Sequence, residues 1–142
     1  MLEKKVIDLL EHRLQKAKSL LKQAEFLMNN QMYDGSINRS YYAIFNTIRS
    51  LLSLIKLDSR KHSGTLSLFD KHFVKTAIFD ERFSEIAHTA FDSGQDFDYD
   101  DFSVPTETEA CSQFQNAQEL IAEVEQKRVK FINGDLTLPK AS

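Results

Sequence analysis

Asn38-Arg39-Ser40-Tyr41-Tyr42-Ala43-Ile44-Phe45-Asn46 is the stretch that decides the fold. It lies inside an apolar pattern of Ile37, Tyr41, Ile44, Phe45, Ile48, Leu52 and Ile55, whose three- and four-residue steps predict a helix from Tyr33 to about Leu57. The stripe is wide and built of large residues, so this helix is expected at the centre of a bundle. Asp34 or Ser36 is the expected cap at its start. The other side carries Asn38, Arg39, Tyr42, Asn46 and Arg49 where a solvated face would show Lys and Glu. Arg39 and Asn46 stand two helical turns apart and therefore share a face.

Working outward, Val6, Leu9, Leu10, Leu14, Ala17, Leu21, Ala24 and Met28 predict a first helix over residues 2–29. Asp58-Ser59-Arg60-Lys61-His62-Ser63-Gly64 reads as a polar connection, with Ser63 as N-cap of a short third helix bearing Leu66, Phe69, Phe73 and Val74. Asp80 can cap a fourth helix carrying Phe83, Ile86, Ala87, Ala90 and Phe91, which Gly94 is expected to interrupt. Residues 92–103 then read as an acidic, aromatic loop whose rings pack on the bundle. Thr106 and Glu109 form a capping box after Pro105 and open a last helix running to about Ile132. Its stripe is Ala110, Phe114, Ala117, Ile121, Val124, Val129 and Ile132, with a phase slip at Lys127-Arg128, and Asn133-Gly134 ends it. The expected fold is all-α: a single-domain up-and-down bundle of about five helices over residues 1–133, with a tail at 134–142.

Composition agrees. The chain has 142 residues, enough for one domain with a real core, and only 4 Gly and 2 Pro, too few for a turn-rich β fold. The net charge of −3 argues against broad electrostatic binding to nucleic acid, while leaving room for a small basic site. One cysteine, Cys111, allows no internal disulfide and suits a reducing cytoplasm. The charged opening Met1–Val6 has no apolar signal-peptide core, and no apolar run is long enough to span a membrane.

Other chemistry finds little purchase. The four histidines fall on four elements, and the single Glu85-x-x-His88 does not supply the paired motifs of a di-iron bundle. Asp96-x-Asp98-x-Asp100 has calcium-loop spacing, but Asp101 stands where such a loop needs glycine. Cys111 has no histidine nearby in sequence, and the glycines stand alone, without a phosphate-cradling loop. No metal and no cofactor is expected. On the second helix, the Arg39 guanidinium could hold a phosphate through its fork of donors, Tyr42 could stack or hydrogen-bond, and Asn46 could orient a hydroxyl or a water. Alternatively, Arg39 pairs with an acidic residue of the 96–101 stretch, and Asn46 faces solvent or a neighbouring helix.

The chain also resembles the HEPN family, small all-α proteins of prokaryotic toxin–antitoxin and defence systems. Arg39-Ser40-Tyr41-Tyr42-Ala43-Ile44-Phe45 is similar to the Arg-Ala-Tyr-Tyr-Ala-Met-Phe core of the branch encoded beside minimal nucleotidyltransferases. Arg60-Lys61-His62-Ser63-Gly64 resembles that branch's Lys-Thr-His-Ser-Gly connection, and Asp98-Tyr99-Asp100-Asp101 its Asp-Tyr segment. The resemblance implies a helical bundle, usually a homodimer. In active members an arginine and, a few residues on, a histidine form a metal-independent RNase site.

Carried over, Arg39 matches the arginine and Asn46 stands at the histidine position. Asparagine cannot exchange a proton at neutral pH, and general acid–base help is worth about 10²–10⁴-fold. A basic residue common before Asp-Tyr is also missing, the stretch here being Ser93-Gly94-Gln95-Asp96. The leading expectation is therefore a dimeric module with weak or no RNase activity. It would bind a nucleotide, RNA or partner protein through Asn38, Arg39, Tyr42, Asn46, Arg49 and Lys61, with a nucleotidyltransferase as the partner the resemblance implies. One alternative is an active ribonuclease in which Arg39 and Asn46 act with His62 as the proton-transfer group. Another is a purely structural dimer.

Overall fold

Element by element, the described chain is helical. The computed structural model describes residues 2–99 and 104–141, the side chains of 94–99 excepted. Five α-helices follow in order: α1 (Lys4–Asn29), α2 (Tyr33–Leu54), α3 (His62–Phe69), α4 (Glu81–Tyr99) and α5 (Glu107–Asn133), with a π-helical turn at Asp70–Val74 after α3. No strand occurs among the described residues. The architecture is the all-α bundle expected from the sequence. No helix there is long and apolar enough to cross a membrane.

α2 is the central element and packs against α1, α3, α4 and α5. Its whole expected stripe is buried, from Ile37 to Ile55, joined by Ser36, Ser40, Thr47 and Ser50. The small residues let α1 approach closely: Ser36 Oγ donates to Ala24 O at 2.8 Å, pinning the two helices together. Neither expected cap operates at the start of α2. Met32 is the N-cap residue, Ser36 is committed to α1, and Asp34 accepts from the Gly35 N–H at 2.8 Å. α2 also ends at Leu54, three residues short of Leu57. Lys56 adopts a left-handed φ of 58°. Its N–H donates to Ser53 O and that of Leu57 to Leu52 O, the paired bonds of a Schellman turn. That turn hands the chain out to Asp58.

Three further expectations are corrected. α3 begins at His62 with Lys61 in the N-cap position, so Ser63 lies inside the helix. The segment 92–99 is helix, not loop, because α4 continues through Gly94 to Tyr99. One interior glycine costs a helix only about 1 kcal/mol, too little to stop it. The helical backbone at 96–99 is also not that of a calcium loop; the remaining loop and ring-packing expectations at 100–103, and those for the side chains of 94–99, lie outside the described residues. In α5 the expected stripe does not slip. Ala117, Leu120, Ile121, Val124 and Phe131 are buried in one phase, while Val129 and Ile132 are exposed at 52% and 36%. The charged pair fits within that phase: Lys127 Nζ lies 5.2 Å from the Phe79 ring centroid, and Arg128 reaches Glu11 on α1.

Capping at Asp80 and Thr106 is as expected. Asp80 Oδ1 accepts from the Arg82 N–H at 2.9 Å, and Thr106 Oγ1 from the Glu109 N–H at 3.1 Å. Gly134, at φ 88°, closes α5. Beyond it, Leu136 and Leu138 pack on the core, and Lys140 O lies 3.1 Å from His72 Nδ1 in the π-turn.

Candidate functional site

The uncovered side of α2 is bordered by α1 on one flank and by His62, at the start of α3, on the other. Along it the expected residues fall into two groups. At the N-terminal end, Arg39 donates through Nε to Gln23 Oε1 at 3.0 Å and through Nη1 to Asn38 Oδ1 at 2.7 Å. These neutral partners leave its charge uncompensated by any described carboxylate. It lines a groove with Lys22, Gln23, Phe26 and Leu27.

At the C-terminal end, Arg49 and His62 come together. With Phe45, Asp58, Ser59 and Arg60 they line an open cleft of about 520 Å³. His62 packs on Phe45 with the ring planes tilted and the centroids 4.1 Å apart, and meets the Tyr42 ring edge-on at 5.9 Å. Its Nδ1 is in hydrogen-bond contact with Tyr41 Oη. Burial, and secondarily the Arg49 charge, hold its pKa below the ordinary 6.5, so the imidazole is neutral at pH 7. Only the first turn of α3, next to the side of α2 carrying Tyr41 and Phe45, brings this histidine to the face.

Arg49 is held in two-point contact with Asp58: Nε to Oδ1 at 3.2 Å and Nη2 to Oδ2 at 2.9 Å. Arg13 of α1 adds Nη2 to Oδ2 at 3.1 Å, and its Nη1 donates to Arg49 O and Ser53 Oγ. The Arg49 hydrogen bonds come first in holding the Asp58 pKa below its ordinary 3.8, with the Ser59 N–H and the two guanidinium charges adding to them. Arg49 also sits 5.9 Å from the Phe45 ring centroid, within cation–π range.

Asn46 is placed differently from Asn38, Arg39, Tyr42 and Arg49, which stay partly exposed. It is 5% exposed, and its Nδ2 donates to Tyr42 O at 2.8 Å. Arg39 and His62 line different depressions, and the arginines that share a cleft with His62 are Arg49 and Arg60. Lys61 is exposed just before α3. Arg13, Asp58, Ser59 and Arg60 were not singled out in the sequence as site residues. Arg60 belongs to the visible basic run before His62, whereas the tie from Arg13 to Asp58 spans 45 residues and leaves no local mark. Among the described residues no group of three or more His, Cys, Asp or Glu is disposed to hold a metal ion.

A model of the HEPN domain matches residues 10–127. The chain is 36% identical over 91 residues to "Putative toxin MJ0142" of Methanocaldococcus jannaschii, a match covering 64% of this chain and 62%, under two thirds, of that protein. It is 30% identical over 112 residues to "Putative toxin MJ0605" of the same organism, covering 79% of this chain and 83% of that one. A UPF0332 protein of Thermotoga maritima is 31% identical over 91 residues, covering 64% of this chain and 69% of that protein. With the matched region running from α1 through most of α5, the chain belongs to the HEPN domain family.

Proposed function

We propose that this protein is a toxin-type HEPN module that binds RNA through its phosphates along the uncovered side of α2, with little or no cleavage of its own. The single observation carrying this reading is the cleft that joins Arg49 and Arg60 to His62. Arginine forks suit phosphate oxygens, and a neutral imidazole can still donate or accept a hydrogen bond. If Tyr41 Oη donates to Nδ1, the ring proton sits on Nε2, where it can serve a phosphate oxygen. Asn38, Arg39 and Tyr42 extend the strip toward the N-terminal end of α2, about 15 Å from Arg49 at the helical rise. Lys61 borders it. The toxin names of two relatives support the biological class, and a second copy of the chain and a nucleotidyltransferase are the proposed protein partners.

The low-activity part of the reading rests on Asn46. Its amide bonds back onto Tyr42 O, and asparagine supplies no titratable proton in any orientation. A second reading is favoured by the Tyr41–His62 contact: an active ribonuclease in which His62 transfers the proton and a cleft arginine stabilises the developing charge. Incubation of the purified protein with single-stranded RNA in EDTA separates the two. Binding that weakens in Arg49→Gln, with intact RNA throughout, supports the first reading. Cleavage lost in His62→Ala establishes the second.

A further inference from the structure

The cleft contains its own competitor for the ligand. A guanidinium presents its donors in a rigid planar fork, and carboxylate and phosphate engage that fork with the same two-point geometry. In this structure Asp58 already sits on the Arg49 fork through both oxygens, and its Oδ2 takes Nη2 of Arg13 as well. Among the described residues lining the cleft, Asp58 is the one carboxylate, amid Arg49, Arg60 and His62. It is not a deep structural ion: its side chain is 44% exposed, beside 27% for Arg49 and 13% for Arg13. The pair is partly open to solvent, which screens it, so an anion of higher charge can compete for the fork.

We propose that Asp58 is a built-in anion occupying the phosphate-binding fork of Arg49, so that RNA binds only by displacing it. This deepens the function proposed above and rests on it. Where Asp58 stays in place, its charge also opposes every phosphate entering the cleft. The position is fixed from both sides. The left-handed turn at Lys56 delivers the chain to Asp58, and the Ser59 N–H donates to Asp58 Oδ1 at 2.8 Å, orienting the carboxylate. Arg13 provides a second seat, because a carboxylate pushed off Arg49 can stay on Arg13, which keeps displacement reversible.

The test is fluorescence anisotropy with a fluorescein-labelled single-stranded RNA oligonucleotide at low salt, on wild type, Asp58→Asn, Arg49→Gln and the double variant. Asparagine keeps the shape and the acceptor for the Ser59 N–H while removing the charge. Asp58→Asn is expected to bind at least about tenfold more tightly than wild type, with the gain lost in the double variant. A folded Asp58→Asn protein that binds no more tightly than wild type overturns the proposal. So does a gain that survives Arg49→Gln, which would make the effect one of net charge. Circular dichroism establishes folding, and Asp58→Ser replaces the asparagine variant if that one is unfolded. RNA binding that ignores Arg49→Gln in both backgrounds rejects the cleft itself, a failure distinguishable from that of the competitor alone.

Discussion

Asn46 Nδ2 donates to Tyr42 O at 2.8 Å, one helical turn back along α2, from a side chain that is 5% exposed. The Asn46 Nδ2 is therefore spent on the helix that carries it. Asn46→Ala is expected to cost about 1 kcal/mol of stability in urea unfolding, the typical worth of one intramolecular hydrogen bond. RNA affinity should hold within a factor of about two in the same variant. A tenfold loss of affinity, equivalent to about 1.4 kcal/mol, would mean that the amide reaches the ligand.

Ser40 is fully buried, and among the described residues its Oγ has no hydrogen-bond partner. A desolvated hydroxyl left unpaired costs about 1–3 kcal/mol. Ser40→Ala removes that cost and improves helix propensity, without opening a sizeable cavity. The variant is expected to be more stable than wild type by about 1 kcal/mol, read as a higher urea midpoint at unchanged m-value. A lower midpoint would show that the hydroxyl serves the fold.

His62 should give stability a pH dependence of defined sign. Its pKa is below 6.5 in the folded chain, chiefly through burial, and returns to about 6.5 on unfolding. Between those two values the unfolded state binds more protons, so this contribution to stability falls as pH drops through about 6.5 and levels off below the folded pKa. His62→Gln should flatten that part of a pH–stability profile measured between pH 7.5 and about 5. An unchanged profile would place the histidine in water-like surroundings.

Much of the fold is legible along the chain because it is local. The stripe of α2 is buried as its spacing predicts, and Asp80 and Thr106 cap the helices they precede. What fails is what tertiary contact decides. Gly94 reads as a break because glycine disfavours helix, yet α4 runs on to Tyr99. Lys127 and Arg128 read as an interruption, but a long side chain can extend over Phe79 while its charged end meets Glu123. The candidate site divides in the same way. Arg49 stands out by helical phase, and His62 by its basic run. Their meeting in one cleft depends on where the 55–61 turn delivers α3, and the Arg13–Asp58 tie crosses 45 residues. Asn46 shares the face of Arg39 by angle, and it is the packing of neighbouring elements around it that buries it.

Ala77 adopts φ 64°, a left-handed conformation that costs a residue with a β-carbon about 1–2 kcal/mol. The residue is exposed, so its methyl group has little packing to lose. Glycine accepts this conformation freely but loses more entropy on folding, which offsets part of the gain. Ala77→Gly is expected to raise stability by about 0.5 kcal/mol, with α3 and α4 unaltered by circular dichroism. A destabilised Ala77→Gly would mean that the entropy loss wins at this turn.

Gly64 lies close to Ser59, which lines the cleft. A β-carbon on Gly64 would lie 3.0 Å from Ser59 Cβ and still nearer to Oγ. Ser59 cannot simply rotate away, because its Oγ accepts from the Lys61 N–H at 3.3 Å and donates to Lys61 O at 3.2 Å. Alanine inside a helix is favoured over glycine by about 1 kcal/mol, whereas overpacking costs about 1–3 kcal/mol. The clash should win, and its consequence is local: the turn carrying Asp58, Ser59 and Arg60 moves outward. Gly64→Ala is expected to lose about 1 kcal/mol of stability and to weaken RNA binding. Adding Ser59→Gly should restore stability and binding together, since it removes both contacting atoms. A double variant whose two losses simply add would show that the positions are uncoupled and that Gly64 is there for another reason.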